Sequence, residues 1–471
     1  HKIGERNKLQ TDTQQQNELG TAPVGRLLLR LALPNIAAQI VNMLYNIVDR
    51  IYIGHIPEIG SQALTGVGVT FPIIILISAF SSLIGMGGTP HASIAMGQQH
   101  NDRAEKIMGN CFSALITISV ILTVVFLLTQ RQILVLFGAS EDTLPYALEY
   151  LNIYVLGTIF TQITLGMNGF ITTQGKAKTA MLTVLIGAAL NIILDPVFMF
   201  GFGMGVRGAA IATVFSQFIS AIWVIRFLTG RKAILKLRKK NLRPEAKILL
   251  PVIGLGLSPF VMQSTESLLS ITFNVSLAKY GGDLAVGAMT ILTSLLQMVI
   301  LPLTGLTQGA QPIISYNFGA RQVDRMKKAI RLLVTSAFLY ALFCWALTRT
   351  VPGLLVSLFT TDPDLQEFTI WALGIYMAVV FVLGIQTSFQ QAFIALGEAK
   401  VSLFLALLRK VILLIPLILL LPNFFSDKIF AVFLAEPVSD FLAATTTTLF
   451  FLWRVRKIIA GLQTDRPAKK S

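Results

Sequence analysis

Apolar stretches of roughly twenty residues recur about a dozen times along this chain, each as long as a helix that crosses the hydrocarbon core of a bilayer. They fall near residues 29–53, 64–90, 108–129, 147–171, 180–201, 206–229, 248–277, 285–314, 329–350, 368–394, 401–422 and 428–453. Such a pattern leaves few folds open, because backbone polar groups inside lipid must be satisfied within helices or a closed barrel. These runs are about twice the length of a barrel strand. Composition agrees: 54% of the 471 residues are apolar and 13% are charged, against about 25% charged in soluble domains. The expected fold is an all-α polytopic membrane protein with twelve transmembrane helices, and a soluble enzyme is excluded.

The net charge of +15 is informative through its placement. Of 38 Lys and Arg residues, 32 lie in the N-terminal segment, in or beside the loops after even-numbered spans, or in the C-terminal segment. The other side has six: Arg50, Arg131, Arg207, Lys279, Arg349 and Lys428. The positive-inside rule then places both termini in the cytoplasm, and the basic excess reads as a topology signal with no nucleic acid partner. The first 25 residues hold no apolar run, so no cleavable signal peptide is expected there. Cys111 and Cys344 lie far apart inside apolar runs and read as buried thiols. The histidines at 1, 55, 91 and 100 have no metal-ligand spacing, and neither a nucleotide loop nor a nucleophile constellation is visible.

An internal repeat organises the chain. A shift of 222 residues aligns Gly87, Pro90, Ser93, Gly97, Asp102, Arg103 and Lys106 with Gly309, Pro312, Ser315, Gly319, Asp324, Arg325 and Lys328. The same offset pairs Leu136-Phe137 with Leu358-Phe359, Tyr154 with Tyr376, and Gly175, Ala177 and Lys178 with Gly397, Ala399 and Lys400. Shared apolarity alone does not reproduce matches of Gly, Pro and charge. The expected layout is a tail (1–28), a six-helix bundle (29–230), a basic linker (231–247), a second bundle (248–453) and a tail (454–471). Six crossings return the chain to the same side, so the halves share one topology and a pseudo-twofold axis along the membrane normal.

The two-times-six layout, together with LPNIAAQIVNMLYNIVDRIYIGH (33–55) and GVRGAAIATVFSQ (205–217), resembles the multidrug and toxic compound extrusion (MATE) family. Within it, LNIILDPVFMFGF (190–202) and LAEPVSDFLAA (434–444) are similar to the MepA-type bacterial exporters, and the likeness runs from about Gly25 to Arg456.

Five carboxylates lie within apolar runs: Asp49, Asp195, Glu266, Glu436 and Asp440. An ionised carboxylate at mid-membrane costs several kcal/mol unless it is paired or wet. Arg50, Arg409 and Lys410 stand near span ends, where they are expected to snorkel. Too few bases therefore remain to neutralise every acid. Asn191 and Asp195 share one helix face, and Pro196 behind them loosens the local backbone bonding. Amide, carboxylate and hydroxyl oxygens suit a hard monovalent cation. The resemblance implies such a Na⁺ site at Asp49, Asn191, Asp195 and Thr213, with Tyr150 or Tyr154 nearby. A plain ion pair between Asp49 and Arg50 is the structural alternative.

In some MATE branches an essential Glu in span 7 partners an Asp in span 10. Here span 7 has Glu266 among Ser264, Thr265, Ser267 and Ser270, while span 10 offers Gln386, Gln390 and Gln391. Glu266 is read as a cation ligand, as countercharge to a cationic solute, or as a structural acid bonded to those hydroxyls. Glu436 and Asp440, spaced i, i+4 around Pro437, are candidates for countercharge or proton carriage, or for a structural polar network. Pro34, Pro90, Pro259 and Pro312 read as kinks or packing irregularities. GMGG (85–88) reads as a close helix approach. Met167, Phe170, Phe198, Met199 and Phe389 are candidate lining for a greasy cleft, or core.

The resemblance implies a non-enzymatic secondary antiporter of a bacterial inner membrane. Na⁺ or H⁺ would enter and a small amphiphilic, cationic organic compound would leave, with no resident cofactor and a monomeric assembly. One charge moved across a membrane yields about 2.3 kcal/mol per 100 mV. The alternative is a lipid-linked oligosaccharide flippase, which would carry a cationic central cavity.

Overall fold

The computed structural model describes residues 18–464. Lys2, Arg6, Lys8, Arg466, Lys469 and Lys470, and with them the outer parts of both expected tails, lie outside the described residues. The chain is 87% helix with no strand among the described residues. The helices are α1 (Val24–Gly54), α2 (Gly60–Gly97), α3 (Asn101–Leu136), α4 (Leu144–Leu156 and Thr158–Thr173), α5 (Ala177–Gly201) and α6 (Val206–Thr229). Ala246–Gly319 is broken at Gly282, whose φ of 63° leaves the helical region, and so forms α7 and α8. The rest are α9 (Val323–Thr350), α10 (Pro363–Tyr376 and Phe381–Ala395), α11 (Ala399–Asn423) and α12 (Lys428–Thr464). All twelve expected spans are present among the described residues, two of them as bent pairs.

The repeat is visible in the backbone. α4 bends by 58° about Gly157, and α10 bends by 50° in the break that holds position 379, its counterpart at the 222-residue offset. Gly175 and Gly397 match because both end a helix at positive φ, 77° and 76°, where a side chain would be strained. Gln99 and Arg321 are also repeat-related and adopt φ of 63° and 56°. The turn geometry persists there without glycine. The helices run unbroken through Pro34, Pro90, Pro259 and Pro312. Pro196, by contrast, is followed by a π-helical turn at Val197–Gly201.

Three apolar cores explain how the halves meet. One draws residues from both halves at the end carrying the basic loops, from Leu27 and Ile84 to Ile313 and Phe393. At the other end each half keeps its own core, around Phe126 and Leu151 in the first and around Phe273 and Phe433 in the second. The halves are therefore joined at one end and separate at the other. Small residues make the join. Gly87 of α2 packs on the backbone of Val252 and Gly256 in α7, and its repeat mate Gly309 of α8 packs on Leu31 and Ala32 in α1. A Cβ on Gly309 would lie 2.5 Å from Ala32 Cα. GMGG thus serves close helix approach, with Gly85 against Gly166 and Gly88 against Cys111 and Phe170.

The stretch 231–247 lies against the first half. Gln174 Oε1 accepts hydrogen bonds from the Ile234 and Leu235 amides at 2.7 and 2.9 Å, and Glu105 pairs with Arg238 at 2.8 Å. The segment before α1 docks on the opposite half, where Arg325 donates to the Leu19 and Ala22 carbonyls at 3.1 and 2.7 Å.

Candidate functional site

In the first half, α1, α4, α5 and α6 converge on one buried polar group. Asn191 Nδ2 donates to Asp195 Oδ1 at 3.3 Å and to Thr213 Oγ1 at 3.2 Å. Asp49 brings its carboxyl within hydrogen-bonding reach of Asp195. The Tyr150 hydroxyl reaches Thr213, and the Tyr150 ring stacks on Tyr154 at 6.1 Å between centroids. Arg50 lies over the Phe71 ring at 4.4 Å, and no ion pair with Asp49 forms among the described residues. Tyr45 also faces this group; the sequence reading missed it, although its i, i+4 spacing to Asp49 was the available signal. With both carboxyl groups ionised, three buried oxygens here, Asp49 Oδ1, Asn191 Oδ1 and Asp195 Oδ2, accept no protein hydrogen bond. Leaving such an acceptor unsatisfied costs about 1–3 kcal/mol. Carboxylate, amide and hydroxyl oxygens gathered in this way fit a hard monovalent cation. No cluster of three or more His, Cys, Asp or Glu with metal-binding geometry occurs among the described residues.

The second half holds a charge network that the sequence only half disclosed. Arg409 and Lys410 do not snorkel from a span end: they are 8% and 4% exposed, on a π-helical stretch of α11 (Leu408–Leu414). Both cations lie inside the bundle, where acids receive them. Arg409 Nε donates to Asp440 Oδ1 at 2.8 Å and its guanidinium reaches Glu436 Oε1 at 3.4 Å. Lys410 Nζ donates to the Met262 carbonyl at 2.7 Å and pairs with Glu266. Three acids thus share two cations, so the shortage of bases is complete at Asp49 and Asp195 and amounts to one charge in the second half. Gln390 donates to Ser258 Oγ and the Ser402 carbonyl, both at 2.8 Å, tying α7, α10 and α11 together. Gln386 is buried beside this tie.

Between the halves lies a cavity of about 410 Å³. Asn35, Gln39 and Asn42 of α1, Gln263 of α7, and Gln308 and Gln311 of α8 line it together with hydroxyl side chains and the apolar Met86, Leu165, Val184 and Leu301, and no charged residue does. Gln39 donates to Gln308 at 3.2 Å and Gln263 to Ser82 at 2.8 Å, both across the two halves. A void of about 40 Å³ shares Asn42 and Thr164 with this cavity and reaches Asn191 and Thr213. The buried polar group therefore adjoins the chamber. The candidate greasy lining lies elsewhere: Met167 and Phe170 are fully buried, Met199 is buried, Phe198 stacks on Phe202, and Phe389 stacks on Phe451 at 4.3 Å.

Comparison with known proteins follows the same duplication. The MatE family model matches residues 34–197 and again 259–420. The multidrug export protein MepA of Staphylococcus haemolyticus is 26% identical over 420 residues, 89% of this chain and 92% of that protein. A solved MATE structure in a bent conformation superposes with a TM-score of 0.89 at 22% identity, over 95% of this chain and 99% of its own. The MATE multidrug transporter DinF-BH, solved in complex with R6G, is 33% identical with a TM-score of 0.86, over 93% of this chain and 98% of its own. Two matched halves, each a bundle of six spans around a shared polar chamber, make this chain a transporter of the multidrug and toxic compound extrusion (MATE) family.

Proposed function

We propose that the chain is a cation-coupled antiporter that exports small amphiphilic organic cations across a bacterial inner membrane, with both termini cytoplasmic and a monomer as the working unit. The observation that carries this reading is the trio of unsatisfied buried oxygens on Asp49, Asn191 and Asp195. Two carboxyl groups within reach of each other do not both stay ionised unless a cation stands between them. Na⁺ held by Asp49, Asn191, Asp195 and Thr213 is one solution and a shared proton is the other, so the two ions compete for one place. The small void from this pocket to the chamber gives the ion and the solute adjoining sites, as exchange requires when each favours a different state. Glu266, whose side chain is 50% exposed, supplies countercharge at the cleft; Glu436 and Asp440 are bound up with Arg409. A flippase for a pyrophosphate-bearing lipid is disfavoured, because no Lys or Arg lines the chamber.

The test is solute efflux from proteoliposomes under an imposed Na⁺ or pH gradient. Asp195→Asn keeps the side-chain shape and removes the charge, and is expected to abolish ion-driven efflux in a folded protein. Unchanged coupling under both gradients overturns the assignment.

A further inference from the structure

The two buried cations of the second half are held in unlike ways. Arg409 meets two carboxylates, Glu436 and Asp440, each 4% exposed. Lys410 is just as deeply buried, yet its carboxylate partner Glu266 has a side chain 50% exposed. Its other contact is the neutral Met262 carbonyl. A buried ammonium is tolerated while it is paired and is costly once the partner leaves. The charge on Lys410 therefore depends on a carboxylate that is itself half-exposed.

Glu266 does not line the chamber but lies close to it along α7. Gln263 lies three residues earlier on α7, so the two side chains share a face. Gln263 lines the cavity and bonds Ser82 of the other half. Glu266 thus sits one turn along from a chamber wall, with the lysine behind it. The charged and titratable groups facing Lys410 are Glu266 on α7, the adjacent Arg409, and Glu436 and Asp440 on α12, with Tyr376 of α10 facing the same acids. Glu436 and Asp440 are engaged by Arg409, and Arg409 is a like charge. Glu436 and Asp440 together exceed Arg409 by one charge and act on Lys410 from a distance, but Glu266 is the carboxylate in direct contact with its ammonium.

We propose that Lys410 is a proton-exchanging amine: an organic cation arriving at Glu266 takes the carboxylate from Lys410, which releases its proton to water in the cleft. In this step one Nζ–H bond breaks, its electron pair stays on nitrogen as the free amine, and the proton leaves on water. The positive charge of the solute takes the place of the ammonium beside Glu266, so the total charge of the network is unchanged. Departure of the solute frees Glu266, and a proton returns to Nζ. The exchange is one monovalent organic cation for one proton, a coupling step in the second half that is separate from the pocket at Asp195. It rests on the reading of Glu266 as countercharge.

The experiment measures binding and proton release together, using the full chain purified in detergent, a weakly buffered solution and a pH indicator. The probes are tetraphenylphosphonium and the neutral triphenylphosphine oxide. Wild type is expected to release about one proton per tetraphenylphosphonium bound and none with the neutral probe. Lys410→Gln, lacking the competing ammonium, is expected to bind the cation at least as tightly and release none. Lys410→Arg keeps the ion pair and a cation that does not deprotonate; it is expected to bind more weakly and release none. Proton release at the wild-type level from either variant, or loss of binding in Lys410→Gln, overturns the proposal. Wild type that binds the cation without releasing a proton also overturns it. Glu266→Gln separates the two readings: undiminished binding of the cation there defeats the countercharge assignment itself. Weakened binding in Glu266→Gln, with proton release persisting in Lys410→Gln, defeats the lysine alone.

Discussion

Gly97 packs on the Tyr316 carbonyl while Gly319 packs on the Ile94 carbonyl, so two glycines 222 residues apart make reciprocal contacts where α2 crosses α8. Ile94 and Tyr316 are themselves 222 apart. The pseudo-twofold axis passes between these helices, and Ser93 donates to the Pro312 carbonyl beside it at 3.4 Å. Neither glycine has room for a Cβ. Their match in sequence reflects a backbone-to-backbone seam that closes one end of the molecule.

A first prediction follows from that seam. Ser93 is wholly buried in it, so Ser93→Cys is expected to resist a water-soluble thiol reagent. Adding Gly97→Val wedges the seam apart, and labelling is expected to accelerate by at least about tenfold, as for a local opening. Gly254→Val, where the added group meets open space, is the control expected to leave labelling slow. Equal rates in all three show that the seam does not depend on the missing side chain.

The Arg409 network is expected to be structural in the first instance. Removing one member of a buried ion network leaves charge uncompensated, at a cost of about 3–5 kcal/mol. Arg409→Met should therefore lower Tm sharply or prevent accumulation in the membrane. Adding Glu436→Gln and Asp440→Asn removes the stranded charges and is expected to restore most of the Tm. Failure of the triple variant to recover, in a thermal unfolding scan, shows that the guanidinium does more than balance those two acids.

Much of this was legible beforehand, and the gaps have physical causes. The twelve spans were readable because lipid demands long apolar helices. The halves were readable because glycines at positive φ and at helix crossings tolerate few replacements, as Gly175, Gly397, Gly97 and Gly319 show. Arg409 and Lys410 were misplaced because distance from the end of an apolar run says nothing about acids on other helices that receive a buried cation. The polar chamber was missed because its amides are scattered singly through apolar runs. Asn35, Gln39 and Asn42 do recur at helical spacing on α1, but their partners Gln263 and Gln308 lie far along the chain.

Gln390 illustrates a residue whose contacts point away from solute. Its amide bridges Ser258 and Ser402, so Gln390→Leu strands buried polar groups at a cost of about 1–3 kcal/mol. The expected outcome is a lower Tm with KM for export unchanged. A raised KM at unchanged Tm would instead place Gln390 against the solute.

Thr213 provides the sharpest test of the first-half pocket, because its hydroxyl both accepts from Asn191 and meets Tyr150. Thr213→Val keeps the shape and removes the oxygen. Asn191 retains its bond to Asp195, so the helices should stay in place while the pocket loses one neutral ligand. Loss of one hydrogen-bonding or ligating oxygen is worth about 1–1.5 kcal/mol, which raises the half-saturating concentration of the driving ion by roughly five- to thirteenfold. Solute KM should be unchanged, since the amide-lined chamber is untouched. The measurement is efflux from proteoliposomes at varied Na⁺ with pH fixed, then at varied pH with Na⁺ fixed. A shift confined to the Na⁺ series identifies Thr213 as a Na⁺ ligand, because a proton shared by Asp49 and Asp195 needs no third oxygen. Thr213→Ser restores the oxygen and is expected to recover the wild-type dependence. If Thr213→Val leaves both series unchanged, the hydroxyl is no ligand of either ion and serves only to position Asn191.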